Sequence, residues 1–459
     1  MKRFTILAIM ALFLLGTVAT ASAVDMKASG SWRVSGNWWK NQNNFDNDVT
    51  GDNFNVMQRA RTYFEFIANE DLKGVLKTEI GDFAWGNGAG EVSGDVVGIE
   101  VKNAYLDFNI PNTEVNIKAG LQGLTLPGFV GGSPLFDDDV TGIVFNAPIN
   151  DMVGITGGWA RLQDQNATLY GSSSSVNDTG DNVDLAFTAV PLTFDGLQFV
   201  PYFGYAWVGE KTSPWGGGLS NRQAWMGTME SAITTAAGTM KDSSAWYAGI
   251  PFQLSMFDPL VVSADVHYGR MDVDMDGSED IEIKGWLADF AVEYKMDMMT
   301  PMFFGSYSTG VDKDDANDDE YGIYPAINGF WAVDTVLTDG GAFAQDMDLY
   351  QPVSMWTLGF RLKDISFVED LTHSAGILYA RGTTDDDQSL GMTFAGNGLL
   401  NENESLWAAD FTTKYMIYEN LAAIAELGYV KYNPDDDILG DDNFDDNSYK
   451  AVVGFKYDF

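Results

Sequence analysis

Along most of the chain, apolar and polar residues take turns one by one. In "QRARTYFEFIA", Ala60, Thr62, Phe64, Phe66 and Ala68 share one parity, and Arg59, Arg61, Tyr63 and Glu65 the other. "NAYLDFNI" sets Ala104, Leu106, Phe108 and Ile110 against Asn103, Tyr105, Asp107 and Asn109. "EVNIKAGLQ" sets Val115, Ile117, Ala119 and Leu121 against Glu114, Asn116, Lys118 and Gln122. "WAADFTTKYMI" and the closing "AVVGFKYDF" repeat the scheme down to Phe459. Successive side chains of a strand point to opposite faces, so this period predicts strands with one greasy and one wet face. The stretch 371–382 stays ambiguous between its two faces.

Turn chemistry separates these segments, and the links alternate in length. Short links fall at "NEDLK", "PNT", "NDM", "FDG", "FDP", "MDMMT", "KDISFVED" and "YEN". Long ones fall near 39–56, 86–97, 124–140, 163–181, 209–243, 272–279, 310–350, 384–404 and 433–446. Nine long and eight short links predict eighteen strands, or sixteen if one weak pair is overcounted. The fold class is all-β: an up-and-down antiparallel barrel with tight turns at one rim and long loops at the other. Charges on the strands share the polar parity, and a Lys or Arg facing hydrocarbon near the bilayer midplane costs roughly 2–4 kcal/mol. The greasy parity therefore faces lipid, and the charged parity lines water. Aromatic residues near strand ends (Trp38, Trp39, Trp85, Trp159, Trp207, Tyr415 and Tyr457) suit interfacial girdles.

Composition narrows the class further. Residues 1–23 read as a secretory signal peptide: Lys2 and Arg3, then an apolar run, then "ASA". Residues 24–459 follow as one barrel domain. The chain has no cysteine and a formal net charge of −40, so nucleic acid is not an expected partner. Neither a Walker loop, a His-Glu-x-x-His pair nor a G-x-S-x-G elbow occurs, and the two histidines, His267 and His373, lack a motif partner. The chain does not read as an enzyme, and the sequence assigns it no cofactor and no metal ligand set. "DVDMDG" (272–277) has the spacing that opens a calcium loop, but Ile283 stands where a bidentate Glu is needed. Residues 220–237 carry a short helical pattern inside a long loop.

"SGSWRVSGNW", "QRARTYFEFIANEDLKGVLKTEIG", "EVKNAYLDFNIPNTEVNIKAGLQGLTLPG", "FDDDVTGIVFNAPIND" and the closing "GFKYDF" resemble the trimeric porins of Desulfovibrio-type sulfate-reducing bacteria. The resemblance covers the signal region, the first seven strands and the last one. It implies a homotrimer in the outer membrane of a Gram-negative bacterium, in contact with lipid and lipopolysaccharide, that passes small hydrophilic solutes and ions.

Two features carry candidate chemistry. The third long loop, "GLTLPGFVGGSPLFDDDVTG", has the glycines and prolines of a re-entrant path, and in trimeric porins generally this loop narrows the pore. On that analogy Asp137, Asp138 and Asp139 face lumen-parity cations on the early strands: Arg33, Arg59 and Arg61, with Lys77 and Lys118 as second choices. Opposed walls of this kind set a transverse field that sorts solutes by charge. The outer loops "FDNDVTGDN", "DKDDANDDE", "TDDDQ" and "PDDDILGDDNFDD" are strongly acidic and either form a cation-gathering vestibule or act as solvated loop tips. The leading functional reading is a passive diffusion porin. A substrate-specific channel for an organic anion or a sugar is the alternative, and a structural or adhesive barrel stands third.

Overall fold

A computed structural model describes residues 24–459 except 43–44, 46–51, 87–97, 165–181, 210–238, 278, 317, 339, 344–346, 348, 350–351, 388–398, 441–443 and 445. The signal peptide and the helix expected at 220–237 lie outside the described residues. Eighteen antiparallel strands close into one barrel. They are β1 (Asp25–Lys40), β2 (Asp52–Asn69), β3 (Leu72–Ala84), β4 (Ile99–Asn109), β5 (Asn116–Thr125) and β6 (Asp137–Asn150). Then come β7 (Val153–Asp164), β8 (Asn182–Ala189 and Leu192–Phe194), β9 (Leu197–Phe199 and Tyr202–Val208) and β10 (Ser243–Gly249 and Phe252–Phe257). The remaining wall is β11 (Leu260–Val273), β12 (Ile281–Tyr294), β13 (Thr300–Ser308), β14 (Met355–Val368), β15 (Leu371–Gly382), β16 (Ser405–Tyr418), β17 (Leu421–Asn433) and β18 (Ser448–Asp458). Each strand pairs with its sequence neighbours, which rules out the sixteen-strand alternative.

Closure is a matter of backbone bonding. Strands β1 and β18 pair from Ser31–Asp458 to Lys40–Tyr449. Gly30 and Phe459 complete the seam by exchanging N–H···O bonds of 2.9 and 3.0 Å. Strands β8, β9 and β10 are each interrupted at an X-Pro step, at Pro191, Pro201 and Pro251. A proline has no N–H to give the ladder. Its carbonyl still accepts: Val190 N–H bonds Pro201 O and Val200 N–H bonds Pro251 O, both at 2.9 Å. The three prolines sit side by side across the wall, so the break is one seam rather than three defects.

The outward face follows the alternation. Phe455, Tyr457, Leu106, Phe411, Trp407 and Ile143 are exposed there, while Lys456, Tyr105, Asp410 and Thr412 point inward. Strand β15, ambiguous in sequence, turns Ile377 and Tyr379 outward and Leu378 and Ala380 inward. Tyr379 lies tilted between Trp356 and Trp407 at 5.2 and 4.6 Å, and Tyr268 between Trp246 and Trp286 at 5.1 and 4.7 Å. These cross-strand rows form the interfacial girdle on the long-loop side. Above them, at the loop ends of the strands, the outward parity does carry charge, at Arg270, Glu282, Lys284, Arg381 and Lys431. Trp39, expected in the girdle, instead faces inward and is only 3% exposed.

The lumen is unequally filled. The third long loop (126–136) and, in the seventh (309–354), the segment 322–337 both fold into the barrel. The seventh carries "GIYPAINGFWAVDTVL", an apolar run that open water would not favour, and Ile323, Tyr324, Ala326, Trp331, Val336 and Leu337 are completely buried. The two loops bond to each other: Ile327 to Leu135, Phe330 to Ser133 and Ala332 to Gly131, at 3.1, 2.7 and 2.7 Å. Together they pack on inward residues of β8–β17, among them Leu185, Met271, Leu287, Phe304 and Leu406. That wall therefore carries many apolar residues on its inner face as well as its outer one. Lumen glycines admit the loop backbone: a Cβ on Gly285 would lie 2.4 Å from Tyr324 N, and one on Gly428 would lie 2.5 Å from a Val336 methyl.

Gly285→Val should expel the seventh loop without opening the barrel, since overpacking costs roughly 1–3 kcal/mol and the hydrogen-bonded ladder is untouched. The expected result is retained heat-resistant electrophoretic mobility with new protease cleavage inside 322–337. Unchanged protease resistance would contradict this packing.

Candidate functional site: the lumen constriction

The open side of the lumen is walled by β18 and β1–β5, and its chemistry begins with a row of cations. Across the closing seam, Arg33 lies opposite Lys456 on one side and Arg59 on the other. Three cations in register repel unless a carboxylate intervenes. Asp82 supplies it, accepting from Arg33 Nη2 at 2.9 and 3.0 Å and from Arg59 Nη1 at 3.1 Å. Simple alternation in β3 would aim Asp82 at lipid. The pairing of β2 with β3 shifts register between Gln58 and Ala60, where β3 inserts Gly81 and Asp82 opposite Arg59. This bulge re-aims the carboxylate into the lumen. Gly81 takes a positive φ of 105° there, and a Cβ would lie 2.3 Å from Gln58 O. One pair-step further, Arg61 Nε donates to Glu79, which is nearly buried.

Lys77 and Lys118 have a different surrounding. Lys77 Nζ sits 4.8 Å above the Tyr63 ring, directly across the strand pair, and Lys118 Nζ lies 5.9 Å from the Tyr105 ring. Tyr105 stands opposite Gly120, whose missing side chain leaves the ring its space. Among the described residues neither lysine has a carboxylate partner, so both present net positive charge to the lumen.

The aspartate triplet goes elsewhere. Asp137, Asp138 and Asp139 begin strand β6 instead of sitting on the re-entrant loop. Asp137 accepts from Thr125 Oγ1 at 2.9 Å, and Asp138 accepts from Asn328 of the seventh loop. Asp139 reaches across β5 to Lys102 Nζ at 2.9 Å and Asn103 Nδ2 at 2.7 Å. The arginines take their counter-charge from Asp82 and Glu79 of β3. The structure thus brings Arg33, Arg59 and Arg61 together, places Lys77 and Lys118 on the same wall, and leaves the triplet as a staple at the loop rim. Two of the three "DVDMDG" aspartates are also engaged: Arg270 Nη2 bonds Asp272 at 2.7 Å, and Lys241 lies 3.4 Å from Asp276.

The opposite face of the passage is the tip of the seventh loop, held by lumen charges that alternation alone did not single out. Arg361 on β14 pairs with Asp410 on β16 and donates to Val333 O at 3.0 Å. Thr335 Oγ1 donates to Asp410 at 2.9 Å. Lys450 on β18 and Glu426 on β17 form a fully buried pair at 3.0 Å; Lys450 donates to Thr335 O, while Glu426 accepts from Ala342 N at 2.6 Å. Arg33 completes the ring by donating to Ala342 O at 3.2 Å. On the third loop, the backbone N–H groups of Phe129 and Val130 donate to Asp265 of β11 at 2.8 and 2.9 Å. Lumen-parity charges near strand centres were the available signal for all of these.

Below the loops, on the tight-turn side, lies a cavity of about 520 Å³. Its wall carries Arg361, Lys363, Lys414 and Lys456 against Glu293, Asp334, Asp364 and Glu426. Lys363 is neutralised by Glu293 at 2.7 Å, but Lys414 has no carboxylate partner among the described residues, and Lys456 has only Asp458 at 3.6 Å. Four cations thus face four carboxylates on this wall, in a chain whose overall charge is strongly negative.

No protein-family model matches the chain, and no curated protein does. Among solved structures it is similar to OpdQ of Pseudomonas aeruginosa, with 11% identity and a TM-score of 0.51 over 94% of this chain and 99% of that one. It is similar to the outer membrane protein OprD of the same organism, with 13% identity and a TM-score of 0.51 over 96% of each chain. At such identities the likeness establishes the fold alone, a closed antiparallel barrel like that of the outer membrane protein OprD.

Asp334, at the seventh-loop tip, accepts from the N–H groups of Val336 and Leu337 at 2.8 and 2.7 Å. Burial, reinforced by nearby Asp410, pushes its carboxyl up to about 6 in spite of those donors and Arg361. A carboxyl with a raised folded-state pKa adds stability that is full below its ordinary value and lost as pH rises through about 6. Amide protection at Val336 and Leu337, corrected for intrinsic exchange, should therefore rise on the order of tenfold from pH 7.5 to pH 5. In Asp334→Asn the slope should flatten; an equal slope in both proteins would assign the effect to another group.

Proposed function

We propose that this outer-membrane barrel is a porin through which small hydrophilic solutes and ions diffuse past a charged constriction formed by the third and seventh loops. The observation that carries the reading is the pairing of a greasy outer band with an inner wall bearing Lys77 and Lys118, neither of which forms an ion pair with a carboxylate among the described residues. Such a wall raises the local concentration of anions and fixes the sign of selectivity at the narrowest point. The acidic outer loops act in the opposite sense, but they stand at the mouth, where salt screens them. A second reading, a substrate-specific channel for a small organic anion, is favoured by the tyrosine rings that flank both lysines. A carboxylate could lie on the lysine with its apolar part against the ring.

In this reading the chain is exported by a cleaved signal peptide and is not an enzyme. It assembles as a homotrimer of the Desulfovibrio-type porin kind. Arg381 and Lys431, outward above the aromatic rows, meet the phosphate-bearing headgroups of lipopolysaccharide. A detergent-complex mass equal to three chains would support the trimer; one equal to a single chain would refute it.

Single-channel recording in planar bilayers under a KCl gradient tests the function. Expected are open steps with a reversal potential of anion-preferring sign. Lys77→Gln with Lys118→Gln should lower the anion-to-cation permeability ratio several-fold, while the charge-neutral replacement Arg61→Gln with Glu79→Gln should leave it near the starting value. Conductance linear in salt supports free diffusion, and steps blocked by a small carboxylate support the specific channel. Silence would mean a structural barrel.

A further inference from the structure

Strands β11 and β12 lie side by side under the point where the third and seventh loops cross. On their inward faces stand Asp265 and His267, two positions apart on β11, and Asp289 on β12, directly opposite Asp265 in the ladder. Asp265 and His267 are completely buried and Asp289 nearly so. One oxygen from each carboxylate and one imidazole nitrogen lie within 4.8 Å of one another. Facing carboxylates in a dry interior repel and lose their hydration unless a cation or a shared proton stands between them. No Lys or Arg of the described residues pairs with either one.

The hydrogen bonding at this cluster is incomplete in a particular way. Asp265 spends its lone pairs on the third loop, accepting from Phe129 N and Val130 N. His267 Nδ1 is bonded to the Tyr202 hydroxyl at 2.7 Å, which fixes the ring and leaves Nε2 as its unengaged nitrogen. His267 Nε2 and both oxygens of Asp289 are buried without a well-formed hydrogen bond, and so are the neighbouring Tyr324 hydroxyl and Trp331 Nε1 of the seventh loop. A buried imidazole held through one nitrogen with the other unengaged is the arrangement of a metal-binding histidine.

We propose that Asp265, His267 and Asp289 bind one first-row divalent cation. The donor set selects the class: two carboxylates and one imidazole suit Zn²⁺, Mn²⁺ or Fe²⁺, whereas Ca²⁺ takes six to eight oxygens. With metal–ligand bonds of about 2.0–2.2 Å, neighbouring ligand atoms stand roughly 3 Å apart, so the cluster need draw in by only an ångström or two. The ion neutralises the acid pair and fastens the wall to both loops, because Asp265 already holds the third loop and the seventh covers the site. It therefore sets the rigidity of the constriction, independently of which solute passes.

The test uses the full-length protein folded in detergent, stripped with EDTA and dialysed, then titrated separately with ZnCl₂ and MnCl₂. The expected result is one equivalent of one of these ions per chain, held at least tenfold more weakly in both Asp289→Asn and His267→Gln. Chelation should also make the third loop more susceptible to protease. Heat-modifiable electrophoretic mobility checks that each near-isosteric variant is folded. Should a variant misfold, X-ray absorption on the loaded unaltered protein decides, with a mixed nitrogen and oxygen shell expected. Absence of bound metal, binding unchanged in the two variants, or an all-oxygen shell would overturn the proposal and leave a carboxyl pair sharing a proton.

Discussion

Hydrocarbon offers no water to a backbone N–H or C=O, so every strand that crosses it must find both of its neighbours within the protein. Here the whole architecture rests on the seam between β1 and β18, where Ser31 to Lys40 pair with Asp458 to Tyr449. With that seam closed, an eighteen-stranded wall has no edge, and each strand is free to carry side chains of opposite character on its two faces. The prolines of β8–β10 respect the same constraint: each withholds one donor, but their carbonyls remain in use.

A barrel of this width cannot be filled by wall side chains alone, and the chain resolves this unevenly. One half of the lumen is packed with the third and seventh loops against a largely apolar inner wall set with a few buried charges; the other keeps its arginines, lysines and tyrosines in contact with water. Buried charge mediates between the two halves. Arg361, Asp410, Glu426, Lys450 and Arg33 do not simply pair off; they grip loop carbonyls and amides. Taking one member of such a pair away strands the other in low dielectric, which is why these contacts hold a loop more firmly than exposed pairs would.

The same logic explains what the alternation showed and what it hid. Strands such as β2, β4, β5, β16 and β18 face lipid on one side and polar surroundings on the other, so their two parities differ in kind and their orientation was legible. Strand β15 was not, because Leu378 and Ala380 face a packed loop while Ile377 and Tyr379 face lipid. The arginines of β1 and β2 were legible as lumen residues, but their counter-charge was not. Asp82 reaches them only through a bulge that reverses its parity, and bulges leave no trace in a period-2 count. Asp137–Asp139 read as part of the re-entrant loop because they follow a glycine- and proline-rich run, yet strand β6 begins at the first of them.

Local chemistry, then, was enough to dictate the all-β class, a count of eighteen or sixteen strands, the alternation of turns and loops, and which face of most strands meets lipid. Those follow from periodicity and turn residues, which act over a few positions. Tertiary structure alone decided that the apolar run 322–337 turns inward, that Asp82 and Glu79 serve the arginines, and that Asp265, His267 and Asp289 converge. Each of these depends on residues far apart in the chain meeting across a closed wall, and only the register and curvature of that wall bring them together.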